Sequence, residues 1–169
     1  MLIKIASLTY RTIDPDADAD LAAQNHYDAC VASFGSAARY EGRDAYLRWL
    51  RRQVDEFPDG HVLAYLGDDF IGQLELQVPY GLSVGYISLY YVAAPFRRQG
   101  YGRRLHEYAD RYFRAWEARQ VELHVSPTNK RAVGFYRRMG YKVSAASDDP
   151  GVRLWKMTKE MGETMNSER

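Results

Sequence analysis

The chain has 169 residues, 46% of them hydrophobic and 27% charged, which is the balance of a folded domain with a real core. One cysteine, Cys30, excludes an intrachain disulfide and a thiolate-rich zinc site. With 23 Lys+Arg against 22 Asp+Glu the net charge is +1, too small to suggest broad nucleic-acid binding.

Leu8 to Ile13, rich in Thr, Tyr and Ile, reads as a short strand. An Asp/Pro-rich start then opens a helix from about Asp16 to Ser33. Leu47, Leu50, Val54 and Phe57 recur at helical spacing, so Gly42 to Phe57 is a second helix, stopped by Pro58-Asp59-Gly60. His61 to Leu66 and Phe70 to Val78 form a hairpin about the turn Gly67-Asp68-Asp69. Val84 to Val92 is a strand dense in Tyr and Ile. A helix follows from Tyr101 to Ala118, with Leu105, Tyr108, Ala109, Tyr112 and Trp116 on one face. Val121 to Val125 is a strand, and Asn129 to Met139 a short helix closed by Gly140. Tyr141 to Ala145 and Val152 to Thr158 close the fold as a pair of strands, and the polar residues from Glu160 read as a frayed tail.

The stretch Val92 to Leu105 carries the first chemical signal. A strand runs into a glycine-bearing loop, and the loop opens a helix. The first helical N–H groups have no intrahelical partner, and the helix dipole adds positive potential there, so the junction suits an anion. Gly100 and Gly102 would let the backbone approach a phosphate, and Arg97, Arg98, Arg103 and Arg104 would add charge. No Lys-Ser/Thr pair follows the glycines, so this is not a Walker loop, and Leu105 breaks a dinucleotide G-x-G-x-x-G.

A second motif lies about 27 residues on: Asn129, Ala132, Phe135, Tyr136, Gly140 and Tyr141. Together, Arg97 to Gly102 and this second motif resemble the GNAT superfamily of acyl-CoA-dependent N-acetyltransferases. The likeness is close from Val84 to Tyr141 and looser elsewhere. It implies an α/β (α+β mixed sheet) fold: a central, mostly antiparallel sheet flanked by helices in the order β-α-α-β-β-β-α-β-α-β-β. It implies one domain over 1–169, with acceptor-side helices and hairpin in 1–83 and an acetyl-CoA-binding core in 84–141. The cosubstrate implied is acetyl-CoA. Arg97, Arg98, Gln99, Gly100, Tyr101 and Gly102 would hold the pyrophosphate. Tyr90, Tyr91 and Val92 would pair with the pantetheine arm, Asn129 would contact that arm, and Tyr136 would act as general acid near the sulfur.

Two departures from the family pattern stand out. Pro95 sits one residue later than the family's proline, with Ala94 in its place. The strand before the loop offers Tyr86, Ser88 and Tyr90 where many members carry a basic glutamate. Glu75 and His124 are the remaining candidates for the base; a solvated strand position is the competing reading of each, and an amine arriving already deprotonated would need neither.

The charge is unevenly divided along the chain. Residues 1–84 carry 13 acids and 7 bases, and residues 85–169 carry 9 and 16. The basic surplus falls in the half expected to hold phosphates. The acidic surplus falls with Phe34, Tyr40, Tyr46 and Trp49, which points to a small cationic amine or peptide amine as acceptor. A non-catalytic acyl-CoA-binding sensor or regulatory module is the alternative, supported by the missing strand carboxylate. His26, His61, His106 and His124 lack metal-ligand spacing, so no metal is expected. No apolar run approaches the roughly 20 residues of a membrane helix and no secretory h-region is evident, so a cytoplasmic location is expected. Dimers are common in the family, but no interface is specified by the sequence.

Overall fold

A computed structural model describes residues 7–79, 81–149 and 152–162. The chain runs β1 (Thr9–Thr12), α1 (Ala19–Phe34), α2 (Arg43–Glu56), β2 (His61–Leu66), β3 (Asp69–Gln77) and β4 (Val84–Val92). It continues α3 (Tyr101–Ala115), β5 (Gln120–Val125), α4 (Lys130–Arg138), β6 (Lys142–Asp149) and β7 (Val152–Glu160). The seven strands form one sheet in the order β1-β2-β3-β4-β5-β7-β6. Every neighbouring pair is antiparallel except β4 and β5, which are parallel. The mixed sheet and element order are those implied by the sequence.

The sheet carries helices on both faces. On one, Leu74, Leu76, Leu123 and Met157 pack with Leu105, Ala109 and Phe113 of α3 and Val133 of α4. Leu105 and Phe113 are fully buried, each contributing roughly 2–3 kcal/mol of apolar transfer. On the other face, Leu63 meets Ala22 and Ala23 of α1 and Tyr46, Leu47 and Leu50 of α2. Gly72 and Gly85 permit the close approach of sheet to α3. A Cβ on Gly72 would stand 2.3 Å from the Tyr91 carbonyl oxygen, and one on Gly85 2.3 Å from the Phe113 ring.

Helix α1 begins three residues later than its sequence suggests, because the aspartates are used for turns. The Asp14 carboxylate accepts from the N–H groups of Asp16 and Ala17. Asp18 accepts from the Asp14 N–H and from the Arg11 guanidinium on β1, at 2.6 and 2.8 Å. Helix α3 stops before Ala118, its C-terminus followed by Glu117 at a φ of 55°. Strand β6 is longer than the sequence suggests, and β7 includes Glu160, paired with Gln120, with Met161 buried beyond it. Residues 163–169 of the expected tail lie outside the described residues. Among the described residues, no helix is long and apolar enough to cross a membrane.

Candidate active site

Strands β4 and β5 pair only from Val84↔Gln120 to Ile87↔Leu123. Beyond Ile87 they diverge, and residues 89–92 keep their β3 partners while their β5-facing edge has no ladder. A backbone irregularity marks the fork. Glu75 pairs with Leu89 and Leu76 with Ile87, so Ser88 is an extra residue in β4. The bulge reverses the alternation: Ile87 packs into the α3-side core, whereas Leu89 packs beside Ala29 of α1. An unpaired strand edge in the middle of a sheet is a template for an extended, amide-bearing chain.

A cleft of about 750 Å³ opens at this fork. Its walls are α1, the free part of β4, the start of α3, the end of β5 and one face of α4. Of the sequence-predicted residues, Tyr90, Tyr91, Val92, Arg97, Arg98, Gly100, Gly102, His124, Asn129 and Tyr136 line it. Glu75, Gln99 and Tyr101 do not. The Gln99 side chain donates to the Pro95 carbonyl at 2.8 Å, and the Tyr101 ring sits edge-on to Phe96.

The loop entering α3 is held by local contacts. Arg97 Nε donates to the Val92 carbonyl at 2.8 Å, and its guanidinium lies over the Tyr91 ring. Arg98 has a φ of 62° and Gly100 a φ of 83°, the left-handed turn that swings the chain into the helix. Gly102 has a different reason to be glycine. A Cβ there would stand 3.2 Å from the Phe135 ring, so it also serves the packing of α3 on α4 while lining the cleft. The Arg131 guanidinium is held below its ordinary pKa, by burial first and then by Arg97 and Arg98. Three cations crowded at one end of a cleft favour an anion that relieves their repulsion.

Asn129 caps α4, accepting from the Ala132 N–H at 3.2 Å, while also lining the cleft. Tyr136 is buried against Tyr90 and Tyr141, and burial pushes its phenol well above the usual range. The Tyr90 hydroxyl donates to the Gly102 carbonyl and locks β4 to α3. His124 is exposed in the cleft, its Nδ1 2.8 Å from the Tyr86 hydroxyl.

Glu75 is neither solvated nor in the cleft wall. It is 1% exposed and accepts from the Tyr46 hydroxyl at 2.5 Å and from Gln73 Nε2 at 2.9 Å. Gln73 Oε1 in turn accepts from Asn25 at 2.8 Å. Burial pushes the Glu75 carboxyl up to about 7, and its two hydrogen bonds pull the other way. On the cleft side of this network the His26 ring stacks on Tyr46 at 4.2 Å. His26 and Cys30, which the sequence did not single out, line the cleft because they share one face of α1. No motif marks them.

No curated protein matches the chain significantly. Among solved structures the chain resembles Ard1 from Thermoplasma volcanium at 21% identity and a TM-score of 0.73, with 93% of this chain and 99% of that one covered. It resembles YncA from Salmonella typhimurium, solved with its cofactor acetyl-CoA, at 16% identity and a TM-score of 0.70, covering 96% and 98%. It also resembles spermidine N-acetyltransferase from Vibrio cholerae, in complex with CoA and spermine, at 16% identity and a TM-score of 0.72, covering 92% and 96%. At these identities the likeness is one of fold. The model of the acetyltransferase (GNAT) family matches residues 19–141, which include both motifs and the fork between β4 and β5, and the chain belongs to that family.

Proposed function

We propose that this acetyltransferase moves an acetyl group from acetyl-CoA to a primary amine by direct attack of the amine on the thioester. The observation that carries the reading is the free edge of β4 beyond Ile87, leading straight into the arginine-bearing loop. The edge fits an amide-bearing pantetheine arm, and Arg97, Arg98 and Arg131 fit its phosphates. The acceptor is a small cationic amine or a peptide amine, and one catalytic unit acting in the cytoplasm is the proposed setting.

The residues divide the work as follows. Backbone N–H groups of Tyr90 to Val92 polarise the thioester carbonyl and stabilise the oxyanion that forms on attack. The Val92 carbonyl is already taken by Arg97, so that contact also stiffens the rail. His124 Nδ1 lies 2.8 Å from the Tyr86 hydroxyl, and the tautomer with its proton on Nδ1 leaves Nε2 to take a proton from the amine. Tyr136 remains a protonated phenol and stabilises the departing thiolate by a charge-assisted hydrogen bond. Asn129 holds the arm at the head of α4. Glu75 stands behind Tyr46 and shapes the acceptor end without meeting the amine.

The test is acetyl-CoA consumption with a panel of amines, wild type against Tyr136→Phe, beside a thermal shift with coenzyme A. Turnover that drops in the variant while the shift persists is the expected result. A shift with no turnover of any amine would instead identify a sensor.

A further inference from the structure

The two ends of the cleft differ in chemistry. Arg97, Arg98, Arg103, Arg131 and Arg138 line the end beside α3 and α4. The α1 wall is made of His26, Ala29, Cys30, Ala32, Ser33 and Phe34, facing Leu89 and Tyr91 of β4. Burial holds His26 below its ordinary pKa, so this wall is neutral at physiological pH.

Six acids of the N-terminal half have partners outside the cleft or at its wall. Asp18 pairs with Arg11, Asp16 with Arg51 and Asp20 with Arg43, ties that run from the start of α1 to β1 and α2. Asp14 closes a turn. Asp28 bonds Gln24 Nε2 at 2.9 Å and the Tyr91 hydroxyl at 3.4 Å. Glu75 is sealed beneath Tyr46. These named acids hold the start of α1 against β1 and α2 or are sealed in the core, Asp28 bonds Tyr91 of the cleft wall, Glu41 acts on His26 through its charge, and no carboxylate lines the cleft itself among the described residues.

We infer that the acceptor is a small amine bearing one positive charge on an apolar or aromatic body, and that linear polyamines are poor acceptors. This rests on the acetyltransferase reading and narrows it. An aromatic body packs on Phe34, Leu89 and Tyr91 and places its amine at the Ser88 bulge, where the sheet forks. The second and third charges of a polyamine require carboxylates at intervals along the wall, and this wall presents alanine, serine, aromatic rings and, further on, arginine.

Steady-state kinetics with 2-phenylethylamine and with spermidine, at saturating acetyl-CoA, test the inference. The expected result is a kcat/KM at least about tenfold higher for 2-phenylethylamine. Ala32→Glu, at an exposed position of the α1 wall, is expected to shift the ratio toward spermidine by about threefold. Spermidine matching or exceeding 2-phenylethylamine, turnover of neither while coenzyme A still raises Tm, or an unchanged ratio in Ala32→Glu would each overturn the inference. Loss of the coenzyme A shift itself would overturn the acetyltransferase reading instead.

Discussion

The Tyr46 hydroxyl of α2 donates a 2.5 Å hydrogen bond to the Glu75 carboxyl of β3 in a site closed to water. Directly across the ladder from Glu75 is His61, also fully buried, whose Nδ1 meets the Phe57 carbonyl at 3.1 Å and whose Nε2 has no partner. Burial pushes Glu75 up to about 7 and His61 down to about 4. Both groups are neutral near pH 5–6, which lets an acid and a base share a dry site without an ion pair.

These opposed shifts predict opposed pH dependences. Between 4.5 and about 7, folded Glu75 holds a proton that the unfolded chain has lost, so its contribution falls as pH rises. Between about 4 and 6.5, folded His61 lacks a proton that the unfolded chain holds, so its contribution rises with pH. Where the windows overlap the two slopes oppose each other in the wild type. Glu75→Gln should therefore gain stability relative to wild type as pH rises from 4.5 to 7, by on the order of 3 kcal/mol. His61→Gln should lose relative stability over the lower window. Urea denaturation at a series of pH values reads both differences, and parallel curves for all three proteins would refute the assignment.

Arg131 and Arg97 separate binding from structure. Arg131 is strained by Arg97 and Arg98, so removing it relieves repulsion in the free protein. Arg131→Ala should raise the KM for acetyl-CoA about tenfold, with Tm unchanged or slightly higher. Arg97 also ties the loop to the Val92 carbonyl and covers Tyr91, so Arg97→Ala should raise KM and lower Tm together. The KM increase for both should shrink in high salt, where phosphate contacts are screened.

Two glycines beside the cleft test packing against ligand contact. Gly102→Ala brings a methyl group to 3.2 Å from the edge of the Phe135 ring, a side chain and not backbone, and should cost about 1 kcal/mol with coenzyme A binding retained. Gly72→Ala brings one to 2.3 Å from the backbone oxygen of Tyr91 and 2.9 Å from Leu105, where β4 cannot yield without moving the rail. It should cost more than about 3 kcal/mol and weaken coenzyme A binding as well. Thermal denaturation with and without coenzyme A distinguishes the two variants.

The element order was legible because local signals agreed with it: the Gly67-Asp68-Asp69 turn between β2 and β3, the Tyr- and Ile-rich run of β4, the amphipathic faces of α2 and α3, and Asn129 and Gly140 bracketing α4. The cofactor end was legible because its two motifs are contiguous in sequence. The acceptor end was not. Glu75 is sealed by Tyr46, a partner 29 residues away on another element, and alternation alone reads such a carboxylate as solvated. The Ser88 bulge carries no glycine or proline to announce it. The acidic surplus pointed to a cationic ligand but not to its place, since Asp16, Asp18 and Asp20 are held by arginines of the same half away from the cleft lining. Net charge per half does not record where in the fold the unpaired acids fall.

The proposed roles of Tyr86 and His124 make a prediction that a merely structural pair would not meet. His124→Ala should lower kcat about 100-fold near neutral pH, and Tyr86→Phe about tenfold, with the KM for acetyl-CoA little changed. Because Tyr86 acts through His124, the double variant should be no slower than His124→Ala alone. The deficit should also fade with rising pH. An alkylamine with a pKa of about 10 arrives increasingly deprotonated above pH 9, and a base that removes its proton is then needed less. A rate deficit in His124→Ala that stays constant from pH 7 to about 10 would show that this imidazole positions the acceptor and does not take its proton.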